Sequence, residues 1–172
     1  MSTLCKLMNI ILIYGLKRGV NMFSNIFYDA KAIIKGGKEY PKINGMVYFK
    51  ETKEGVLLTA KIHGLPQSKI KCTGRFFGFH IHNGNSCTGT KEDEFANSGM
   101  HYNPNECPHP YHAGDLPPLI ENNGYAYMIV LINKFRIDDI IGKVLIIHDS
   151  HDDFNSQPSG NSGKKIACGK IE

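Results

Sequence analysis

From residue 29 onward, glycine and proline divide the chain into short apolar runs that leave little room for a long helix. The sequence holds 18 glycines and eight prolines, and pairs such as Asn44-Gly45 and Asn123-Gly124 separate the runs. Valine, isoleucine, tyrosine and phenylalanine dominate these runs, as is typical of β-strands. Many short strands with frequent turns indicate an all-β fold, an antiparallel barrel or sandwich. The predicted strands are Lys31–Lys35, Met46–Lys50, Val56–His63, Phe76–His82, Tyr125–Ile132 and Lys143–His148.

Two long segments interrupt the strands, residues 83–123 and 149–165. Loops of that length inside a compact domain are usually functional. The second loop is rich in serine, asparagine, glycine and aspartate, so we expect it at the surface. Five prolines exclude a helix through the first loop; they are Pro104, Pro108, Pro110, Pro117 and Pro118.

Length and charge narrow the class of protein. With 172 residues, the chain fits one domain, and its 41% hydrophobic content is ordinary for a globular protein. The net charge of +4 is modest and dispersed, and the chain has no tryptophan. No aromatic residues alternate with basic clusters, so we expect no nucleic-acid partner. An anionic substrate is compatible with this charge.

The N-terminal residues leave the compartment open. The longest apolar stretch, Leu7 to Leu16, is about half the length of a membrane helix, so we expect no membrane span. It resembles a poor signal peptide, but Lys17 and Arg18 stand where a small-residue cleavage site belongs. Alternatively, Met22 is the natural start. We treat residues 1–28 as an extension and 29–172 as the domain, and favour a cytoplasmic location over export to the cell envelope.

Histidine is concentrated in one part of the chain. Six of the eight histidines lie between residues 80 and 148, and five of these lie between residues 80 and 112. On a strand, side chains alternate between faces, so His80 and His82 point the same way while Ile81 points the opposite way. Two imidazoles on one sheet face can hold a transition metal. The alternative for an isolated pair is two exposed histidines on a strand.

A second spacing favours the metal hypothesis. His101, His109, His112 and Asp115 follow one another with gaps of seven, two and two residues. Three imidazoles and one carboxylate form a closed tetrahedral set that zinc accepts. Since prolines exclude a helix here, this spacing requires a loop that wraps around the site.

Together these residues carry a resemblance. From about residue 29 to the C-terminus, the chain is similar to the copper/zinc superoxide dismutase family. Several motifs match in the same order, which makes the resemblance specific. They are Gly78-Phe-His-Ile-His82, Gly99-Met-His101-Tyr-Asn-Pro104, His112-Ala-Gly-Asp115-Leu, His148-Asp, Asp152-Asp153 and Ala167-Cys168-Gly169.

The resemblance implies an eight-stranded Greek-key barrel or sandwich that dismutates superoxide to dioxygen and hydrogen peroxide. It implies two cofactors, copper and zinc, with His101 bridging them and supplying a proton. The implied copper ligands are His80, His82, His101 and His148. The implied zinc ligands are His101, His109, His112 and Asp115. A homodimer is one candidate assembly.

Three further roles follow from the same resemblance. Asp152 corresponds to the carboxylate that orients His80 and His109 from behind, and Cys87 and Cys168 correspond to an intramolecular disulfide. Lys165 stands where the family has an arginine, three residues before Cys168. It keeps the positive charge that attracts superoxide but lacks the planar guanidinium, so we expect an active but slower enzyme.

Other interpretations remain open at this point. One is a copper/zinc-binding domain of the same fold that delivers or stores metal with little turnover. The others are a structural zinc domain and a hydrolytic zinc enzyme, although the closed zinc set leaves no position for water. The chain has five cysteines. Three roles are open for Cys107, namely a stray zinc ligand, a disulfide partner for Cys72 and a free thiol, and we favour a role other than zinc ligand. His63 and His151 lie outside the motifs.

Overall fold

The computed structural model describes residues 28–68 and 75–172. Strands dominate this part of the chain, and helix is limited to α1 (Ile137–Ile140) and a 3-10 turn at Ala96–Ser98. The strands are β1 (Ala30–Gly36), β2 (Asn44–Glu51), β3 (Val56–His63), β4 (Phe76–Phe77), β5 (Phe79–His82), β6 (Leu119–Ile120), β7 (Tyr125–Ile132), β8 (Val144–His148) and β9 (Lys165–Lys170).

Seven strands form one antiparallel sheet in the order β5-β8-β9-β1-β2-β3-β7, and β4 pairs with β6 in a two-stranded ribbon. Side chains from both halves of the large sheet contribute to one hydrophobic cluster, so the sheet curls around its core. The all-β prediction is confirmed. The described residues contain nine strand segments rather than eight.

All six predicted runs contain strands, but one of them is divided. The run Phe76–His82 breaks at Gly78, whose amide donates to the carbonyl of Ser150. A Cβ at Gly78 would lie 2.8 Å from Cβ of Ser162, so this close approach of the second loop requires glycine. The short strand β6 lies inside the predicted first loop, and β9 begins at the last residue of the second.

Strand β3 shows how alternation builds the core. Val56, Leu58, Ala60 and Ile62 are each 0% exposed, while the side chains between them are half-buried or exposed. One face of the strand therefore packs inward and the other remains near solvent.

Strands β5 and β8 differ because both of their faces are buried. Leu145 and Ile147 of β8 belong to the main core, whereas Val144 and Ile146 pack in a second cluster. That second cluster includes Phe95 of the first loop. The first loop thus covers the outer face of these strands and buries the side chains on that face.

Several expectations lie outside the described residues, namely those on Leu7–Leu16, on Met22, on Cys72 and on nearly all of the N-terminal extension. Within the ranges described, no helix has the length and apolarity needed to cross a membrane.

Candidate metal centre

The free edge of β5 positions the first loop. Beyond its ladder with β8, β5 makes isolated bridges that pair His80 with Asp115 and His82 with His101. The amide of Ile81 donates to the Gly114 carbonyl at 2.9 Å. Because an edge strand has unpaired backbone groups, the proline-rich loop satisfies them by folding back alongside it. The loop residues with metal-binding side chains therefore lie beside the two histidines of β5.

The first cluster contains His80, His82, His101 and His148, whose nearest ring nitrogens all lie within 4.8 Å of one another. All four are buried, with at most 5% of each residue exposed. His80 and His82 come from β5, His148 is the last residue of the neighbouring strand β8, and His101 comes from the first loop. The structure brings together every residue that was predicted for the copper set.

Backbone carbonyls fix which nitrogen of these rings faces inward. His82 Nδ1 donates to the Gly99 carbonyl at 2.8 Å, and His148 Nδ1 donates to the Gly163 carbonyl at 3.2 Å. In a neutral imidazole with its proton on Nδ1, Nε2 carries a lone pair. These two Nε2 atoms lie 3.3 Å apart. Two lone pairs in such close contact are unfavourable unless a cation lies between them.

The same cluster contains two nitrogens without partners. Among the described residues, His80 Nδ1 and His101 Nε2 are buried and accept no hydrogen bond. Buried polar atoms are nearly always paired, and exceptions are typical of binding or catalytic sites. Four imidazole nitrogens thus converge with their lone pairs free, which is the donor set that copper or zinc prefers.

A second cluster surrounds Asp115 and shares His101 with the first. His101 Nδ1 donates to Asp115 Oδ1 at 2.7 Å, so the two nitrogens of this ring face the two clusters. Nδ1 of His109 and Nδ1 of His112 lie 3.1 and 3.2 Å from Asp115 Oδ2. His109 Nδ1 makes no hydrogen bond within the described chain despite this proximity. Three imidazoles and one carboxylate fit a tetrahedral zinc ion.

Asp152 connects the two clusters from behind. Its Oδ2 accepts a hydrogen bond from His80 Nε2, and its Oδ1 accepts one from His109 Nε2, each at 2.8 Å. These bonds place the proton of each ring on Nε2 and leave Nδ1 free to face its cluster. The position matches the role expected for Asp152.

Burial and hydrogen bonding set the charges of the centre. Burial lowers the pKa of His80, His82 and His112, and it lowers the pKa of His148 to about 3. Burial alone would raise the pKa values of Asp115 and Asp152, but bonds from neighbouring groups outweigh it and lower both. These four histidines are therefore neutral and the two carboxylates ionised near pH 7, the protonation states that metal ligation requires.

Lys165 is the first residue of β9 and lies directly opposite His148, the last residue of β8. Its Nζ donates to Asp93 Oδ2 at 3.0 Å and to the carbonyl of Phe95 at 3.3 Å. Its ammonium is therefore bound to the first loop, a contact that the sequence did not indicate.

The predicted disulfide is confirmed. Cys87 and Cys168 are bonded, and the bond ties the first loop to β9 across 81 residues of sequence. Cys107 is a free thiol that is partly exposed, and it belongs to neither ligand cluster among the described residues.

Gln157 is a further contact that sequence reasoning missed. Its side-chain oxygen accepts from the His109 amide at 3.0 Å, and its amide nitrogen donates to the His109 carbonyl at 2.7 Å. These two bonds link the second loop to the backbone of a residue 48 positions away, and nothing in the sequence signals them.

Comparison with known proteins agrees with this geometry. Residues 43–171 match the family model described as "Copper/zinc superoxide dismutase (SODC)". A "Superoxide dismutase [Cu-Zn]" of Legionella pneumophila is 30% identical over 175 residues, covering 91% of this chain and 99% of the relative.

Two solved structures have a similar fold. The Cu/Zn superoxide dismutase of Brucella abortus aligns with a TM-score of 0.70 at 27% identity, covering 84% of this chain and 100% of that chain. A SOD-like protein of Bacillus subtilis aligns with a TM-score of 0.67 at 28% identity, covering 83% and 98%. With this sequence match and the shared fold, the chain belongs to the copper/zinc superoxide dismutase family.

Proposed function

We propose that this protein dismutates superoxide to dioxygen and hydrogen peroxide at a copper/zinc centre built on His101. The observation that carries the proposal is the position of this ring, because one nitrogen faces each cluster of buried donors. A site for a single metal has no need of such sharing.

The donor sets support the assignment of the two metals. His80, His82, His101 and His148 would hold copper, whose preference for imidazole fits four nitrogens. His101, His109, His112 and Asp115 would hold zinc. When bound, copper supplies one-electron redox chemistry, and zinc supplies a fixed charge without redox chemistry.

The residues themselves account for the proton handling. Two superoxide anions and two protons yield one dioxygen and one hydrogen peroxide, so a group that holds a proton inside the site can supply one of the two protons and solvent the other. His101 Nε2 is buried and has no competing hydrogen bond among the described residues, while Nδ1 is anchored at Asp115. His101 can therefore hold a proton on Nε2 and release it while the rest of the ring stays in place.

A second function within the family is metal delivery or storage with little turnover. Two observations favour it: one structural neighbour is described only as SOD-like, and the charge of Lys165 is paired with Asp93. The completeness of both donor sets favours the enzyme.

The deciding experiment compares the metal content and superoxide consumption of three proteins: wild type, His148→Ala and His151→Ala. His148 belongs to the first cluster alone, whereas His151 is exposed and serves as the matched control. We expect about one copper and one zinc in wild type and in the control. His148→Ala should keep zinc but lose copper affinity and activity. Metal-replete wild type without turnover would establish delivery or storage instead.

A further inference from the structure

A β-bulge directs Lys165 toward the first cluster. Ile147 pairs with Ala167, but the next residue, His148, pairs with Lys165, so Ile166 is left unpaired. Ile166 and Ala167 both belong to the main core. With regular alternation Lys165 would share the core face of Ala167, but the extra residue turns it to the face of His148.

The ammonium of Lys165 is held rather than free. Its side chain is only 17% exposed, and two of its three donors bind Asp93 Oδ2 and the Phe95 carbonyl. The carboxylate of Asp93 is fixed independently, because its Oδ1 accepts from the Phe95 amide at 3.0 Å. The loop therefore places a negative charge against Lys165 whether or not an anion approaches.

The pair lies in a pocket of about 420 Å³ between the first loop, the second loop and the turn after β1. Four lysines and four carboxylates line this pocket, so its lining carries no net charge. Two opposite charges 3.0 Å apart act on a more distant anion as a dipole, whose potential falls off faster than that of one charge. Little of the Lys165 charge is left to attract a small anion.

We propose that Asp93 weakens the binding of small anions at the first cluster, because its carboxylate neutralises Lys165 beside that cluster. This inference rests on the proposed function, since superoxide is the anion concerned. Asp93 acts through Lys165 as a positioning residue and does not touch the reacting atoms.

The test is azide binding to protein loaded with copper and zinc, followed by visible absorbance of Cu(II). Asp93→Asn removes the charge and retains an oxygen that can accept from the Phe95 amide, so the local turn is preserved. One charge about 10 Å from an anion, at an effective ε of about 50, changes affinity by roughly threefold. We therefore expect azide to bind roughly threefold more tightly at low ionic strength, and the gain to disappear near 1 M salt, where the Debye length is about 3 Å.

Two controls separate the pair from general charge effects. Glu92→Gln removes the same charge from a neighbouring exposed residue that does not bond to Lys165 in the described structure. In a Lys165→Gln background, Asp93→Asn should leave azide affinity unchanged, because the charge it would release is gone. An unchanged affinity in the single variant, or an equal gain from Glu92→Gln, would overturn the proposal.

Superoxide consumption by the same proteins distinguishes this inference from the proposed function. Tighter azide binding in Asp93→Asn without turnover in any variant would retain the role of Asp93 and reject the dismutase. Turnover in wild type, with the same azide affinity in Asp93→Asn as in wild type, would retain the dismutase and reject the role of Asp93.

Discussion

Replacing Asp152 with asparagine should damage the two clusters unequally. Oδ1 of Asp152 accepts from His109 Nε2 and from the Phe154 amide, whereas within the described residues Oδ2 accepts only from His80 Nε2. An asparagine has one accepting oxygen. With that oxygen at the Oδ1 position, two hydrogen bonds remain, and the amide group faces the N–H of His80 donor to donor. The opposite orientation would produce two such conflicts.

His80 can relieve the conflict only by moving its proton to Nδ1, the nitrogen that faces the first cluster. Loss of an orienting hydrogen bond typically costs about 10–100-fold in metal affinity, which is about 1.4–2.7 kcal/mol. We therefore expect copper affinity in Asp152→Asn to fall by that factor. Zinc affinity should fall by less than about tenfold, because the bond to His109 persists.

Competition titrations with chelators, run separately for copper and zinc, measure both affinities. Asp153→Asn is the matched control. The Asp153 carboxylate accepts hydrogen bonds from Asn155, Ser156 and Asn161 and, in the part of the chain that the structure describes, from no residue of either cluster. Equal losses at both sites, or the same copper loss in the control, would refute the reasoning.

Three other predictions follow from the same contacts. Gln157→Leu removes both bonds to the backbone of a zinc-site histidine, and chelator competition should show zinc affinity about tenfold weaker with copper unaffected. Replacing Cys87 and Cys168 with serine should lower the free energy of unfolding in urea by about 4 kcal/mol, because the bond closes a loop of 81 residues. In metal-free protein, burial lowers the pKa of His82 and His148, so the unfolded chain takes up protons first as pH falls below about 6.5. Stability should then drop by about 1.4 kcal/mol per histidine between pH 7.5 and 5.5 in urea unfolding, and a flat profile would contradict this.

Much of the metal centre could be predicted from local patterns. Alternation on a strand places His80 and His82 on one face, and that relationship depends only on β geometry. The spacing from His101 to Asp115 requires a wrapped loop because prolines exclude a helix. The ligands are identifiable because metal chemistry restricts the usable residue types to very few.

Contacts between distant segments could not be predicted in this way. Gln157 binds the backbone of His109, and any side chain that carries both a donor and an acceptor would look the same in sequence. The division of the run at Gly78 depends on the close approach of Ser162 from the second loop.

The sequence by itself determined the strand pattern, the pair His80 and His82 on one strand face, and the spacing from His101 to Asp115, because each depends on periodicity or on residue type. The place of His148 in the first donor set followed from the family resemblance. Only the tertiary structure decided that the charge of Lys165 is paired with a carboxylate. A bulge between β8 and β9 turns Lys165 toward His148, and the first loop then brings Asp93 within 3.0 Å of it. Both events depend on how separate segments pack against one another, and no local pattern contains that information.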